Sequence, residues 1–315
     1  MSADLSIVIV NYNSWQVLAK LLDSLASQQI NPVLIKSFKV IIVDNDSTVQ
    51  KPDFSALIKS LNAAAIEVDW IQSPNNRGFA AGCNLGAKQV KDGLLLFCNP
   101  DIEIPADGLN HLIAVYQNHK VDLLAPKQVS LQGKPQNISG RFPNLWRYLP
   151  LMGGLFKGSH PTSETKPVFF CDWISGAVIL MRLNDFKHLG GWDEAFFMFM
   201  EDVDLCFRAS QNALKVGVTN QTTWLHHHGV SSKHRTADRV RSKSAALAAK
   251  HIYINKHFIS WRKPLAHLFV FLKYSPELML GWLLSWPFPK PVFLTRRYIL
   301  KTYLKDLKNG FNYSA

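Results

Sequence analysis

The sequence predicts an α/β protein: a mostly parallel, Rossmann-like central sheet flanked by helices, with a helical, basic C-terminal extension. Three observations carry this. Apolar runs of strand length alternate with segments of helical periodicity. A polar cluster follows each of the first four such runs directly. The charge is also confined. The 315 residues carry a net +12, yet residues 1–232 hold 19 Lys and Arg against 20 Asp and Glu, and residues 233–315 hold 16 against 3. The chain therefore divides into a neutral domain, 1–232, and a basic, aromatic tail, 233–315.

The elements follow in order. Leu5–Val10 is a continuous apolar run that suits a strand buried on both faces. Asn13 or Ser14 can cap the next helix, in which Val17, Leu18, Leu21, Leu22 and Leu25 share one face. Val40–Val43 reads as a second strand, a helix fits Asp53–Ala64, and Val68–Gln72 reads as a third strand. Ala80–Val90 is small and helical, and Leu94–Cys98 is a fourth strand. Residues 130–170 are rich in Pro, Gly and Ser and read as a long excursion over the sheet. Regular structure resumes at Val168–Met181, with a helix from about Glu201 to Ala213 and a short strand at Lys215–Thr219.

Composition removes several classes. The charged fraction of 18% and hydrophobic fraction of 47% exclude a disordered chain. The four cysteines have no zinc or disulfide spacing and read as reduced thiols. The N-terminus lacks the basic region of a signal peptide. No GxGxxG follows the first strand and no GxxxxGK[ST] occurs, which argues against dinucleotide oxidoreductases and P-loop NTPases. A nucleic-acid reader would spread its cations over a folded surface, and the neutral first 232 residues argue against one.

In open parallel sheets, ligands lie beyond the carboxyl ends of the strands. Asn11-Tyr12-Asn13, Asp44–Ser47, Asn75–Gly78 and Asn99–Asp101 all fall there. Asn99 and Asp101 point to one side if that segment is extended, where Asp101 can bind a hard divalent cation. The same residues also suit a strand-end turn or a helix cap. Glu201, Asp202 and Asp204 open a helix after an aromatic wall of Phe196, Phe197 and Phe199. A carboxylate held there can act as a general base, although helix dipoles favour acids at that position in any case. His226-His227-His228 is either a metal or phosphate partner or a solvated turn.

Taken together in order, VNYN, IIVDNDST, NNRGFAAGCN, LLLFCNPD, DWISGAVILMR, GGWDEAFFMFMEDVDLCFRA and HHHG resemble family 2 inverting glycosyltransferases of the GT-A fold. The resemblance is closest to the rhamnosyltransferase-like branch that builds O-antigen and other cell-surface polysaccharides, and it covers about Leu5–Gly229. It implies a donor site formed by Val10, Asn11, Asp44, Asn76, Arg77, Gly78, Asn84 and Asn99. It implies Asp101 and His226 as ligands of Mg²⁺ or Mn²⁺, with Asn99 replacing the first acid of the family's DxD motif and His228 as the rival imidazole. It implies Asp202 as catalytic base, and Trp173, Ser175, Gly176, Trp192, Asp193 and Glu201 around the donor sugar and acceptor. The implied partners are a dTDP- or UDP-sugar and a polyprenyl-diphosphate-linked saccharide.

The tail has its own reading. A helix fits Ser242–Phe258. Leu265–Trp286 is long enough to span a bilayer but contains Lys273, Pro276 and Glu277, which argues against an ordinary span. Trp, Phe and Leu beside Lys and Arg fit an anionic membrane surface instead. Location on the cytoplasmic side of the cell membrane, as a peripheral protein, is the corresponding expectation.

Overall fold

The computed structural model describes residues 2–156, 166–227 and 236–310. Two compact units are distinguished. The first comprises Met1–Arg141, His160–Asp193 and Asp202–Ser231; the second comprises Phe142–Ser159, Glu194–Glu201 and Ser232–Ala315. The tail is thus grouped with two short segments of the first 232 residues.

The first unit begins with β1 (Ala3–Asn11), α1 (Trp15–Ala26), β2 (Ile35–Asp44), α2 (Ser55–Ala63), β3 (Ile66–Gln72), α3 (Phe79–Ala87) and β4 (Leu94–Cys98). It continues with β5 (Ile102–Glu103), α4 (Gly108–Asn118), β6 (Leu123–Val129), β7 (Ser139–Gly140), β8 (Val168–Phe170), β9 (Trp173–Ile174), β10 (Val178–Arg182) and α5 (Leu183–His188). Next come α6 (Glu201–Gln211), whose first residue falls in the second unit, and β11 (Val216–His226). Among the described residues the main sheet runs β3-β2-β1-β4-β10-β6-β11-β5, with β8 also paired to β11. The β1–β2, β2–β3, β1–β4 and β6–β11 ladders are parallel. Strand β10 runs antiparallel to both β4 and β6. The mixed α/β class and mostly parallel sheet are as the sequence predicts.

Ile7, Val8, Ile9 and Val10 are all buried, because helices cover both faces of β1. Val8 and Val10 lie under Gly86 and Gly82 of α3. A Cβ on those glycines would stand 2.5 Å and 2.7 Å from the two valines, so α3 approaches the sheet more closely than a larger residue allows. The predicted face of α1 (Val17, Leu18, Leu21, Leu22, Leu25) is buried as a block.

Several local expectations are corrected. Ser14 occupies the cap position of α1 but makes no side-chain cap bond; its hydroxyl donates to the Tyr12 carbonyl instead. Asn13 adopts φ +54° and turns its amide to Thr48 and Val49. Asn99–Asp101 is not extended: the Ile102 amide donates to the Asn99 carbonyl across a turn. The strand expected at Lys215–Thr219 continues to His226, because pairing with β6 resumes at Thr223–Leu225 after an irregularity. His228 lies outside the described residues.

The second unit contains α7 (Thr236–His257), α8 (Lys263–Leu284) and α9 (Pro291–Lys308). Leu145 and Tyr148, from a short 3₁₀ turn, pack with Ile254, Ala266 and Val270. Among the described residues no helix is long and apolar enough to cross a membrane. A polar relay joins α7, α8 and α9. His267 Nε2 donates to Asn255 Oδ1 at 2.8 Å, so its Nδ1 accepts from His251 Nδ1 at 2.6 Å. His251 Nε2 then accepts from the Tyr303 hydroxyl at 2.8 Å.

Burial, aided by the neighbouring His267 and Lys250, pushes His251 down to about 3, and burial followed by Lys263 lowers His267. A histidine held below its free value binds fewer protons folded than unfolded. Its contribution to stability is therefore complete above about pH 6.5 and declines as pH falls towards 3. Thermal unfolding followed from pH 8 to pH 4 should show the second unit losing stability below about pH 6.5. His251→Phe should flatten that dependence, and an unchanged slope would contradict the relay.

Candidate active site

Six strands of the sheet run in the same sense, and their carboxyl ends carry Asn11, Asp44, Gln72, Cys98, Val129 and His226. Strand β10 runs the other way, so its entry loop, Ser175–Ala177, reaches the same edge. Of the sequence-predicted site residues, Asn11, Asp44, Asn99, Ser175, Gly176 and His226 lie at or beside these strand ends for this reason.

The donor-side cluster is held by its own hydrogen bonds. Asn11, fully buried, donates to Ser47 Oγ at 3.3 Å, while its carbonyl accepts from the Asn45 amide at 2.8 Å. Asp44 accepts from the Ser47 amide at 3.1 Å. Asn45 donates to Asn76 Oδ1 at 3.2 Å and to the Gly78 carbonyl at 3.0 Å, tying the loop after β2 to the loop after β3. Gly78 sits at φ +95°, where a side chain would be strained, in the cap position just before α3. Arg77 is exposed on that loop. The Val10 side chain is turned under α3, so only the backbone of this residue lies at the edge.

Asn84 is employed differently. Its Nδ2 donates to the Trp192 carbonyl at 2.8 Å and its Oδ1 accepts from the Trp192 amide at 2.9 Å. The Trp192 ring is 1% exposed and meets Phe79 and Phe97 edge-on, with centroids 5.5 Å and 5.1 Å away. Trp192 thus backs Gly176: a Cβ on that glycine would lie 3.5 Å from its ring and 3.4 Å from the Asp202 Cβ. Asp193 is half-buried beside it.

Asp202, also half-buried, accepts from the Gly176 amide at 3.0 Å through Oδ2 and from the Val203 amide at 2.8 Å through Oδ1. Burial raises its pKa above the usual carboxylate range against the pull of these amides. Asp204 instead pairs with Arg208 at 2.6 Å, an i,i+4 contact. Glu201 is buried at the first position of α6 and is grouped with the second unit. The Trp173 ring covers Gly140, and its indole N–H donates to the Arg141 carbonyl at 3.0 Å. The Ser175 amide donates to the Ile138 carbonyl at 2.7 Å.

Backbone bonds connect Asp202 to the remaining acids. The Asn99 amide donates to the Ala177 carbonyl at 2.8 Å, next to the glycine that holds Asp202. The Asp101 carbonyl accepts from the His227 amide at 2.8 Å. Asp101 Oδ1 and His226 Nε2 face each other at 3.4 Å, both nearly buried. Gln128 Oε1 lies 2.8 Å from His226 Nδ1, so Nδ1 is held by Gln128 and Nε2 is the ring nitrogen that faces Asp101. His227 is directed to Glu103 at 2.9 Å instead. Among the described residues no group of three or more His, Cys, Asp or Glu side chains converges as a metal cage. A cavity of about 640 Å³ lined by Ala3, Leu94, Tyr116 and Arg182 lies at the opposite edge of the sheet and includes none of these residues.

The model of the family "Glycosyl transferase family 2" matches residues 6–169, more than half of the chain. The chain belongs to glycosyl transferase family 2. Among similar members of the family, the rhamnosyltransferase WbbL of Escherichia coli is 28% identical over 269 residues, or 80% of this chain and 96% of that one. An N-acetylglucosaminyl-diphospho-decaprenol L-rhamnosyltransferase of Mycobacterium tuberculosis is 26% identical over 301 residues, 84% of this chain and 89% of that one. The hexosyltransferase Agl10 of Haloferax volcanii is 26% identical over 235 residues, 73% of this chain and 69% of that one. The fold is shared with GalNAc-T7, crystallised with UDP, GalNAc and Mn²⁺, at TM-score 0.58 and 14% identity; the alignment covers 89% of this chain and 58% of that one. It is also shared with the Pyrobaculum calidifontis mannosyltransferase in complex with GDP-Man and Mn²⁺, at TM-score 0.54 and 12% identity, over 98% of this chain and 88% of that one. The chain is a GT-A-type glycosyltransferase, as its motifs predict.

Two residues of this glycosyltransferase site are missed by sequence reasoning. Gln128 is a polar residue in a buried strand, 2% exposed, and that unusual placement is the signal that could have revealed it. Asn45 lies within the Asp44–Ser47 cluster without being singled out from it, and its side chain is the tie between two loops. The clamp on Trp192 gives a direct test: Asn84→Ala should cost about 1–3 kcal/mol by chemical denaturation, since two partly buried hydrogen bonds are lost. Unchanged stability would mean that the amide does not hold the Trp192 backbone in solution.

Proposed function

We propose that the protein transfers L-rhamnose from dTDP-L-rhamnose to a polyprenyl-diphosphate-linked saccharide in cell-surface polysaccharide synthesis, inverting the anomeric carbon. The observation that carries this reading is the joining, on one sheet edge, of the Asp202 carboxyl to the Asp101–His226 pair through the Asn99–Ala177 backbone bond. The choice of sugar and of a lipid-linked acceptor is supported by the relatives named for rhamnosyl transfer.

Asn11, Asp44, Asn76, Arg77, Gly78 and Asn99 border the base, ribose and diphosphate of the donor, with the Val10 backbone beside them. Asn84 contributes by fixing Trp192. Trp173, Ser175, Gly176, Trp192 and Asp193 shape the region for the donor sugar and acceptor.

One carboxylate facing one imidazole nitrogen, with the ring's other nitrogen occupied by Gln128, fits Mg²⁺ or Mn²⁺ when diphosphate and water complete the coordination. Asp101 and His226 would hold the ion, which supplies positive charge against that developing on the leaving diphosphate. Asp202 takes the proton of an acceptor hydroxyl as that oxygen attacks the anomeric carbon. The bond to the diphosphate oxygen breaks on the opposite face, and a single displacement inverts the centre. The raised pKa suits Asp202 to this task by making its carboxylate a stronger base.

Asp202→Asn should retain donor binding and lose about 10²–10⁴-fold in kcat. The wild-type rate should rise with pH through a limb lying above the ordinary carboxylate value, because the base acts unprotonated. Near-normal turnover by the variant would contradict this assignment. The donor is tested by thermal shift with dTDP-, UDP- and GDP-sugars, with and without Mn²⁺. The largest stabilisation should come from dTDP-L-rhamnose with metal. A larger shift from a UDP-sugar would change the donor, and none from any nucleotide sugar would overturn the proposal.

A further inference from the structure

Helix α8 has two unlike faces. Ala266, Val270, Leu278 and Gly281 are buried, and at Gly281 a Cβ would meet Arg296 of α9 at 2.5 Å, so this face is packed tightly. The opposite face is exposed and apolar. At 3.6 residues per turn, Leu265, Leu268, Leu272, Met279 and Leu283 fall within an arc of about 60°. The charged residues of α8, Lys263, Lys273 and Glu277, all lie outside that arc, and Glu277 is paired with Arg296 at 2.7 Å.

Each end of the stripe carries an exposed tryptophan covered by an arginine. Trp261 is 67% exposed, with the Arg262 guanidinium 4.8 Å from its ring; Trp286 is 65% exposed, with Arg297 at 4.6 Å. An apolar stripe of this length is more than scattered surface residues would produce. Tryptophan paired with cation is suited to the boundary between acyl chains and headgroups.

The surrounding charge selects the occupant. Residues 261–310 contain nine Lys and Arg and two acids. A second copy packed on this face would bring two cationic rims together, whereas an anionic lipid surface neutralises them. The helix does not meet the requirement for crossing a bilayer, so the compatible arrangement is to lie along one.

We propose that α8 is an in-plane membrane-docking helix, whose Leu265–Leu283 stripe enters the headgroup boundary of an anionic bilayer between the Trp261–Arg262 and Trp286–Arg297 pairs. This inference is independent of the sugar-transfer reading: a protein that transfers sugar yet ignores vesicles would overturn the first and leave the second intact.

The test is co-sedimentation of the full chain with vesicles of phosphatidylglycerol and phosphatidylcholine, compared with phosphatidylcholine alone. The wild type should bind the anionic vesicles, and more weakly as salt is raised. Leu268→Glu with Leu272→Glu should reduce binding at least about tenfold, since each change removes an exposed apolar side chain that the bilayer would bury. Arg262→Glu with Lys263→Glu should reduce it through the rim alone, with circular dichroism unchanged in both variants. Absence of wild-type binding, equal binding by the stripe variant, or a wild-type dimer that this variant converts to monomer would each overturn the proposal.

Discussion

The antiparallel placement of β10 between β4 and β6 is the constraint on which the candidate site depends. The other central strands deliver their carboxyl ends to one edge, and β10 delivers its beginning there. Its entry loop presents two backbone groups. The Gly176 amide holds Asp202, and the Ala177 carbonyl holds the Asn99 amide. A carboxyl from α6 is thereby fixed to the same framework as a turn that ends in Asp101. On the loop's side both are main-chain groups, so strand register positions the two partners, the Asp202 carboxylate and the Asn99 amide. Asp202, Phe79 and Trp192 all line the position a Gly176 Cβ would take, at 3.4–3.5 Å, an ordinary van der Waals distance.

The two acids of this framework differ through their surroundings. Asp202 is burdened by burial and supported by amides, which leaves it more basic than a free carboxyl. Asp101 faces Nε2 of an imidazole whose Nδ1 is held by Gln128. One environment suits proton transfer and the other suits cation binding, although both residues follow from short acidic motifs of similar appearance. The neutral charge of residues 1–232 is consistent with this division, since no basic surface is needed where a cation can balance a diphosphate.

Much of this was legible in the sequence because it is local. Leu94–Cys98 is predicted to the residue, and the α1 face is correct, since period and burial are coupled along a single element. The four polar clusters fall on one edge because parallel connectivity requires it. What was not legible is long-range. Asn84 and Trp192 are 108 residues apart, and Gln128 and His226 are 98 apart; no local pattern reports such partners. The end of β11 was missed for the same reason: its continuation to His226 is stabilised by β6, not by its own mixed sequence. The grouping of Leu145 and Tyr148 with the tail helices likewise depends on contacts across more than a hundred residues. The basic tail was legible as a composition, but the separation of its apolar stripe from its cations required the helix to be placed.

In the proposed function the diphosphate of a nucleotide-sugar donor is bound where Asp101 and His226 meet. The most direct measurement is a crystal structure of the protein with Mn²⁺ and a nucleoside diphosphate, with data collected at the manganese absorption edge. The expected result is an anomalous peak in coordination contact with Asp101 and His226 Nε2, with the diphosphate on its open side. A peak elsewhere, or a diphosphate bound away from these two residues, would contradict it.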